Sequence, residues 1–236
     1  MTGLPRPSLT YRVEDGRRLG ALLWRFGPGW RMISSAMLGG GIGHREWVLN
    51  AQVAAGYSRM DPVEHMDALG PGGAGVGMMT AALVERYAAA ADGGAEAVAT
   101  VGLGVPTWAA APEGMPDPGL PAAGDDAVRD DAVRDDAVRV PRPGTINILV
   151  AVPVAFSDPA LVNAVMTVTE AKTQALLEAG FPCTGTASDA VCVAVREEGQ
   201  AEAFGGPRSV WGARIARAVH RAVLDGARDW RTWRAG

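Results

Sequence analysis

The sequence predicts a mixed α/β protein, a mostly β core flanked by helices. Three observations carry that expectation. Residues 145–152 (Thr-Ile-Asn-Ile-Leu-Val-Ala-Val) and 190–195 (Ala-Val-Cys-Val-Ala-Val) are near-continuous apolar runs of strand length, the pattern of strands buried on both faces. Between them, residues 157–180 read as a helix with both ends marked. Ser157 or Asp158 can cap the start, Pro159 suits the first turn, and Gly180 followed by Pro182 stops the helix. Strand and helix therefore alternate in the second half, which is the α/β pattern, with α+β the neighbouring arrangement.

The other elements follow in order. Ser8–Glu14 and Leu19–Phe26 read as strands joined by a hairpin at Asp15-Gly16. Arg31–Met37 reads as a strand that ends in the glycine-rich turn Gly39-Gly40-Gly41-Ile42-Gly43-His44. No Gly-Lys-Ser/Thr follows, so this is not a phosphate-binding P-loop. Trp47–Val53 is apolar around Asn50, Pro62–Leu69 a short helix opened by Asp61, and Gly70–Gly75 a loop. Gly77-Met78-Met79-Thr80 is expected to begin a second helix running to about Ala91. Ala95–Val101 reads as a buried strand. From Ala111 to Arg142 the composition turns to Pro, Gly and Ala, then to Asp-Asp-Ala-Val-Arg three times in tandem. A five-residue period matches neither helix nor strand, so 111–142 is expected to be a disordered or loosely helical insert. Val210–Ala227 reads as a terminal helix burying Trp211, Ile215, Ala218, Val219 and Ala222, with a loosely packed tail from Asp229.

Length and composition narrow the function. At 236 residues the chain can bury one good core, and one domain over 1–236 is expected. The net charge of −4 gives no electrostatic footprint for nucleic acid or an anionic membrane. No apolar run approaches the ~20 residues that span a bilayer, and the N-terminus lacks a charged-then-apolar leader. A cytoplasmic protein is therefore expected. Cys183 and Cys192 form no Cys-x-x-Cys pair and there are 3 His, so no zinc pattern exists and reduced core thiols are expected. The 7 Trp fill the core or edge a site for a large flat ligand.

Chemistry concentrates in two places. The helix at 157–180 carries Thr167, Thr169, Glu170, Lys172 and Thr173 among Ala, Val and Leu, and helical spacing sets Thr169 beside Lys172 and Thr173. A solvated helix face explains them as well as a site does. The turn Thr184-Gly185-Thr186-Ala187-Ser188-Asp189 then puts three hydroxyls and a carboxylate where a loop enters a buried strand, a favoured position for binding sites.

Several blocks together resemble the adenosylcobinamide amidohydrolases of corrinoid salvage. They are Ile33-Ser34-Ser35-Ala36 with Gly39-Gly40, Gly77-Met78-Met79-Thr80-Ala81-Ala82, and Ala99-Thr100-Val101-Gly102-Leu103. Gly144-Thr145-Ile146-Asn147-Ile148, Thr167-Val168-Thr169-Glu170-Ala171-Lys172 and Thr184–Ala190 complete the set. Ser188 stands where that family more often has Thr, and the pentapeptide repeat is no part of its pattern. The resemblance implies hydrolysis of the amide between the aminopropanol arm and the corrin ring of adenosylcobinamide. The products would be adenosylcobyric acid and (R)-1-amino-2-propanol. It implies substrate contacts from Ser34, Ser35, Gly39, Gly40, His44, Thr80, Thr145, Asn147, Thr169 and Thr184. It implies no cofactor or metal of the protein's own, since cobalt comes with the corrinoid.

Amide hydrolysis needs a nucleophile, a proton donor for the leaving amine, and donors for the oxyanion. No Gly-x-Ser-x-Gly elbow or His-Glu-x-x-His motif is present. Two mechanisms remain open. Glu170 or Asp189 activates a water beside Lys172, or a hydroxyl of Thr186, Thr145 or Ser35 forms an acyl-enzyme with help from Lys172 or His44. The first is preferred, with Glu170, Lys172, Asp189 and Thr186 as catalytic residues. His44 is alternatively a surface histidine, and Glu170–Lys172 a structural pair. A corrinoid-binding protein that cleaves nothing is the competing class, and an unrelated small-molecule amidase a third.

Overall fold

The strand at Ile146–Val152 has both faces buried because two different layers cover it, and the rest of the fold is arranged around that strand. A computed structural model describes residues 3–115 and 144–235. Its elements are β1 (Ser8–Glu14), β2 (Arg17–Arg25), β3 (Trp30–Ser34), β4 (Gly41–His44), β5 (Trp47–Gln52), α1 (Pro62–Leu69), β6 (Gly75–Thr80), β7 (Ala88–Asp92), β8 (Ala95–Val101), β9 (Ile146–Val152), α2 (Asp158–Glu178), β10 (Ala190–Arg196) and α3 (Val210–Ala235).

Six strands form one sheet in the order β4-β3-β10-β9-β8-β7, and four form another in the order β1-β2-β5-β6. In each, one parallel pair is joined by a helix: β9 and β10 through α2, β5 and β6 through α1. The remaining pairs are antiparallel. Alternation along β9 sorts the layers. Ile146, Ile148, Val150 and Val152 pack with α2 and α3, while Leu149 and Ala151 pack with Leu22, Trp24, Val48 and Met78 of the smaller sheet. The outer side of the smaller sheet meets α1 through Trp47, Leu49 and Met66. The order is helices, sheet, sheet, helix, so the mixed α/β expectation holds.

Local sequence explains the ends. The β1–β2 turn takes positive φ at Asp15 (50°) and Gly16 (73°), as a two-residue I′ hairpin requires. Ser157 caps α2 by accepting from Ala160 N–H at 3.3 Å, and Gly180 takes φ 79° just past the end.

Some expectations are corrected. No helix runs from Gly77 to Ala91. That stretch is β6, a 3-10 turn at Val84–Arg86, and β7. The alanines of β7 alternate half-buried and exposed, and β7 pairs with β8 beyond the Gly93-Gly94 turn. Sheet pairing and packing against α3 here override alanine's helix preference. The Gly41–His44 turn is β4, paired with β3. The tail from Asp229 is the end of α3, tied back by an Arg86–Asp229 ion pair and by Arg231 donating to the Ala179 carbonyl. The insert expectation falls, from residue 116 on, outside the described residues. Both cysteines are free and buried, and burial pushes the Cys192 thiol up to about 12. Trp24, Trp30 and Trp47 lie in the core. Among the described residues no helix is long and apolar enough to cross a membrane.

Candidate active site between the sheets

The turn at 184–189 leads into β10, and β10 runs parallel to β9 with Ala190 opposite Asn147. That register sets the turn beside Thr145 and Ile146 at the start of β9. β3, the antiparallel neighbour of β10, arrives at the same end, where Cys192 lies opposite Ser34. The end of β6 and the segment after β5 close the other side. A cavity of about 430 Å³ opens there between the two sheets. Its polar end is Ser35, Thr80, Thr145, Ser188 and Asp189, and its apolar lip includes Met37, Val53, Met79 and Tyr57. The site therefore sits at the amino ends of β9 and β10, facing the carboxyl ends of β5 and β6, where the helix-to-strand turn before β10 delivers the polar residues.

Asp189 is the most heavily bonded group in it. Its Oδ1 accepts from Ile146 N–H at 2.9 Å and from the Thr186 hydroxyl at 2.5 Å. Its Oδ2 accepts from Lys172 Nζ at 2.5 Å and from Thr186 N–H at 3.2 Å. Lys172 and Asp189 are 9% and 11% exposed, so this ion pair is nearly dry. Gly185 makes room for it, since a Cβ there would stand 2.2 Å from Asp189 Oδ2 and 2.5 Å from Lys172 Nζ. Four donors fill the carboxylate's acceptor sites. The arrangement pins the turn to α2 and β9 and leaves Asp189 poorly placed to take a proton from water.

Beside Asp189 stand two hydroxyls. Thr145 Oγ1 and Ser188 Oγ are 2.8 Å apart, and Ser188 also donates to the Gly144 carbonyl at 3.3 Å. Both line the cavity, and Thr145 is buried. Ser35 lines it from β3's end, its Oγ accepting from Val191 N–H at 3.0 Å. Beneath, Asn147 Nδ2 donates to Asn50 Oδ1 at 2.8 Å and to the Met79 carbonyl at 2.9 Å, and Asn50 Nδ2 donates to Thr100 at 3.0 Å. This amide chain ties β9 of one sheet to β5 and β6 of the other under the cavity floor.

The anticipated residues therefore divide. Ser35, Thr80, Thr145 and Asp189 line the cavity, with Lys172 and Thr186 bonded to Asp189. Ser34 and Asn147 sit just behind, with the Ser34 hydroxyl bonded to the Val191 carbonyl at 2.9 Å. Glu170 stands apart: it is exposed and lines a shallow groove on the outer side of α2 with Thr169. Two positions on a helix are about 200° apart, so Lys172 and Glu170 cannot share a face. Thr169 donates back to the Val165 carbonyl at 3.0 Å. His44 ends β4 opposite Arg31, at the far end of β3 from Ser34, and meets Glu197 at 3.5 Å. Thr184 holds the 107–109 segment, donating to the Thr107 carbonyl and accepting from Ala109 N–H. Gly39 takes φ 71° where a Cβ would meet the Gly75 carbonyl at 1.9 Å, so its place is a close backbone crossing. Gly40 likewise lies over the Ala36 carbonyl. Tyr57 was not anticipated; nothing in its local sequence marks it.

A family model described as adenosylcobinamide amidohydrolase (CbiZ) matches residues 6–235, which take in every element above. The chain belongs to the adenosylcobinamide amidohydrolase family. Two proteins named adenosylcobinamide amidohydrolase resemble it in part. One, from Halobacterium salinarum, is 43% identical over 82 residues, covering 34% of this chain and 35% of that protein. The other, from Methanosarcina mazei, is 36% identical over 92 residues, covering 35% of this chain and 46% of that one. The matched stretches thus span less than half of either relative. Among solved structures, the PH0078 protein from Pyrococcus horikoshii OT3 aligns over 95% of this chain and 84% of its own, with 10% identity and a TM-score of 0.45.

Proposed function

We propose that the inter-sheet cavity hydrolyses the amide joining the aminopropanol arm to the corrin ring of adenosylcobinamide, giving adenosylcobyric acid and 1-amino-2-propanol. One observation carries the reading: in a chain of this family, a hydroxyl pair and a carboxylate meet at the polar end of a cavity with an apolar lip. A whole corrinoid is too bulky for a cavity of about 430 Å³, so the arm and its amide enter while the ring rests on the lip. No metal of the protein's own takes part, cobalt being the substrate's.

The placement of Glu170 and the crowded bonding of Asp189 shift the chemistry from an activated water to a hydroxyl. The Thr145 oxygen adds to the amide carbon, and its proton passes through Ser188 to the departing nitrogen. The C–N bond breaks, releasing 1-amino-2-propanol and leaving an ester on Thr145. Water then cleaves the ester, regenerating the hydroxyl and freeing the acid. Lys172 and Asp189 fix the turn that carries Ser188.

The test is incubation of the protein with adenosylcobinamide and assay of free 1-amino-2-propanol. Release in step with adenosylcobyric acid supports the reading. Binding without release would make the protein a corrinoid carrier, and neither binding nor release would overturn the assignment of substrate.

A further inference from the structure

Tyr57 lines the cavity, and a chain of hydrogen bonds runs outward from it through three separate elements. Its Oη lies 2.9 Å from Nδ1 of His65 on α1. His65 Nε2 lies 2.9 Å from Oε1 of Glu14 on β1. Arg12 Nε donates to the same carboxylate at 2.5 Å, and its Nη2 holds the Gln52 carbonyl at 2.7 Å. His65 is 5% exposed, which is unusual for a histidine on a short surface helix. A buried imidazole bonded at both nitrogens has a fixed ring direction, and it transmits that direction to the phenol.

We propose that Tyr57 contacts the substrate, that Glu14 and His65 are positioning residues acting through it, and that His65 sets the hydrogen-bonding polarity Tyr57 presents to the cavity. This rests on the reading of the cavity as the active site. The polarity follows from counting protons. An ionised Glu14 can only accept, so His65 Nε2 donates to it. Neutral His65 then offers a lone pair at Nδ1, and the Tyr57 O–H is committed to it. The phenol oxygen keeps lone pairs alone, suited to a donor such as a secondary amide N–H or the hydroxyl of the arm. Protonated His65 donates from both nitrogens, so the Tyr57 O–H is released and the group becomes a donor. The wall changes character without moving. Other charges near the chain are Arg12, bonded to Glu14, and Arg59 and Asp61, paired with each other at 2.6 Å. Glu64 and Asp67 of α1 are exposed.

Steady-state kinetics on adenosylcobinamide test this with Tyr57→Phe, His65→Gln and the double variant. Tyr57→Phe keeps the ring and removes only the hydroxyl, so it folds even if His65→Gln does not. Each single change is expected to raise KM about five- to ten-fold with kcat within about two-fold, and the double change to do no more than either, as for residues acting in one path. A Tyr57→Phe variant with native KM, or with a loss confined to kcat, would overturn the inference. A native protein that leaves adenosylcobinamide intact would instead sink the functional reading. The chain then stands or falls by nitrogen-15 NMR of His65, where the Nε2–H tautomer of the neutral ring is expected and an Nδ1–H tautomer contradicts it.

Discussion

At Asp189 four donors converge on two oxygens, and at the exposed Glu170 of α2 no such group of donors is found among the described residues. The contrast makes two predictions. Lys172→Met leaves a carboxylate charge nearly dry and without its cation, which should cost about 3 kcal/mol and be read as a lower urea midpoint. Glu170→Gln should stay within about 0.5 kcal/mol of the native protein and within about two-fold in turnover, as a surface change does. A large loss of turnover in Glu170→Gln would return the carboxylate to the mechanism. The two charges looked alike in sequence, as polar intruders in a run of Ala, Val and Leu. The difference was nonetheless legible. Leu161, Ala164, Val168, Ala171, Ala175 and Leu176 trace the buried stripe of α2, and Lys172 falls on it while Glu170 does not. Tyr57 and His65 carried no comparable signal, because contacts across 8 and 51 positions link them to each other and to Glu14.

At the scale of elements, the double-sided strands and the capped helix were legible because each is decided locally or by burial on both faces. Ser157 shows the local case, and Ser157→Ala should cost about 1 kcal/mol in thermal or urea unfolding through loss of the bond to Ala160 N–H. A neutral result would mean the capping bond contributes nothing measurable. The stretch 77–91 reads as helix in sequence for a physical reason. Its alanines favour helix in isolation, whereas here β7 pairs with β8 and β6 pairs with β5, whose partners lie 28 residues away. Which strands join which sheet was equally hidden: β3 and β4 lie between β2 and β5 in sequence yet belong to the other sheet. The amino-end location of the site follows from that topology and not from any motif.

At the scale of the molecule, β1 is held to α1 by a charged cluster whose strength depends on pH. Burial would raise the carboxyl of Glu14, but hydrogen bonds from Arg12 and His65 outweigh it and hold the group below its ordinary value of 4.5. A carboxyl depressed in the folded state contributes stability above its unfolded value, and that contribution is lost as pH falls through the folded one. Glu14→Gln should therefore be less stable than the native protein at neutral pH, with the gap in thermal midpoint closing as pH falls below 4.5. A gap that widens on acidification would contradict the sign. The same two-sheet arrangement delivers residues from β6, the segment after β3, the position before β9 and the turn before β10 to one cavity, and the proposed chemistry needs that convergence. Its most direct test is the turnover of Thr145→Ala on adenosylcobinamide, measured as released 1-amino-2-propanol alongside the unfolding midpoint. A fall of at least about 100-fold with the midpoint held within about 1 kcal/mol is the predicted result. Turnover within about two-fold of the native protein would contradict it.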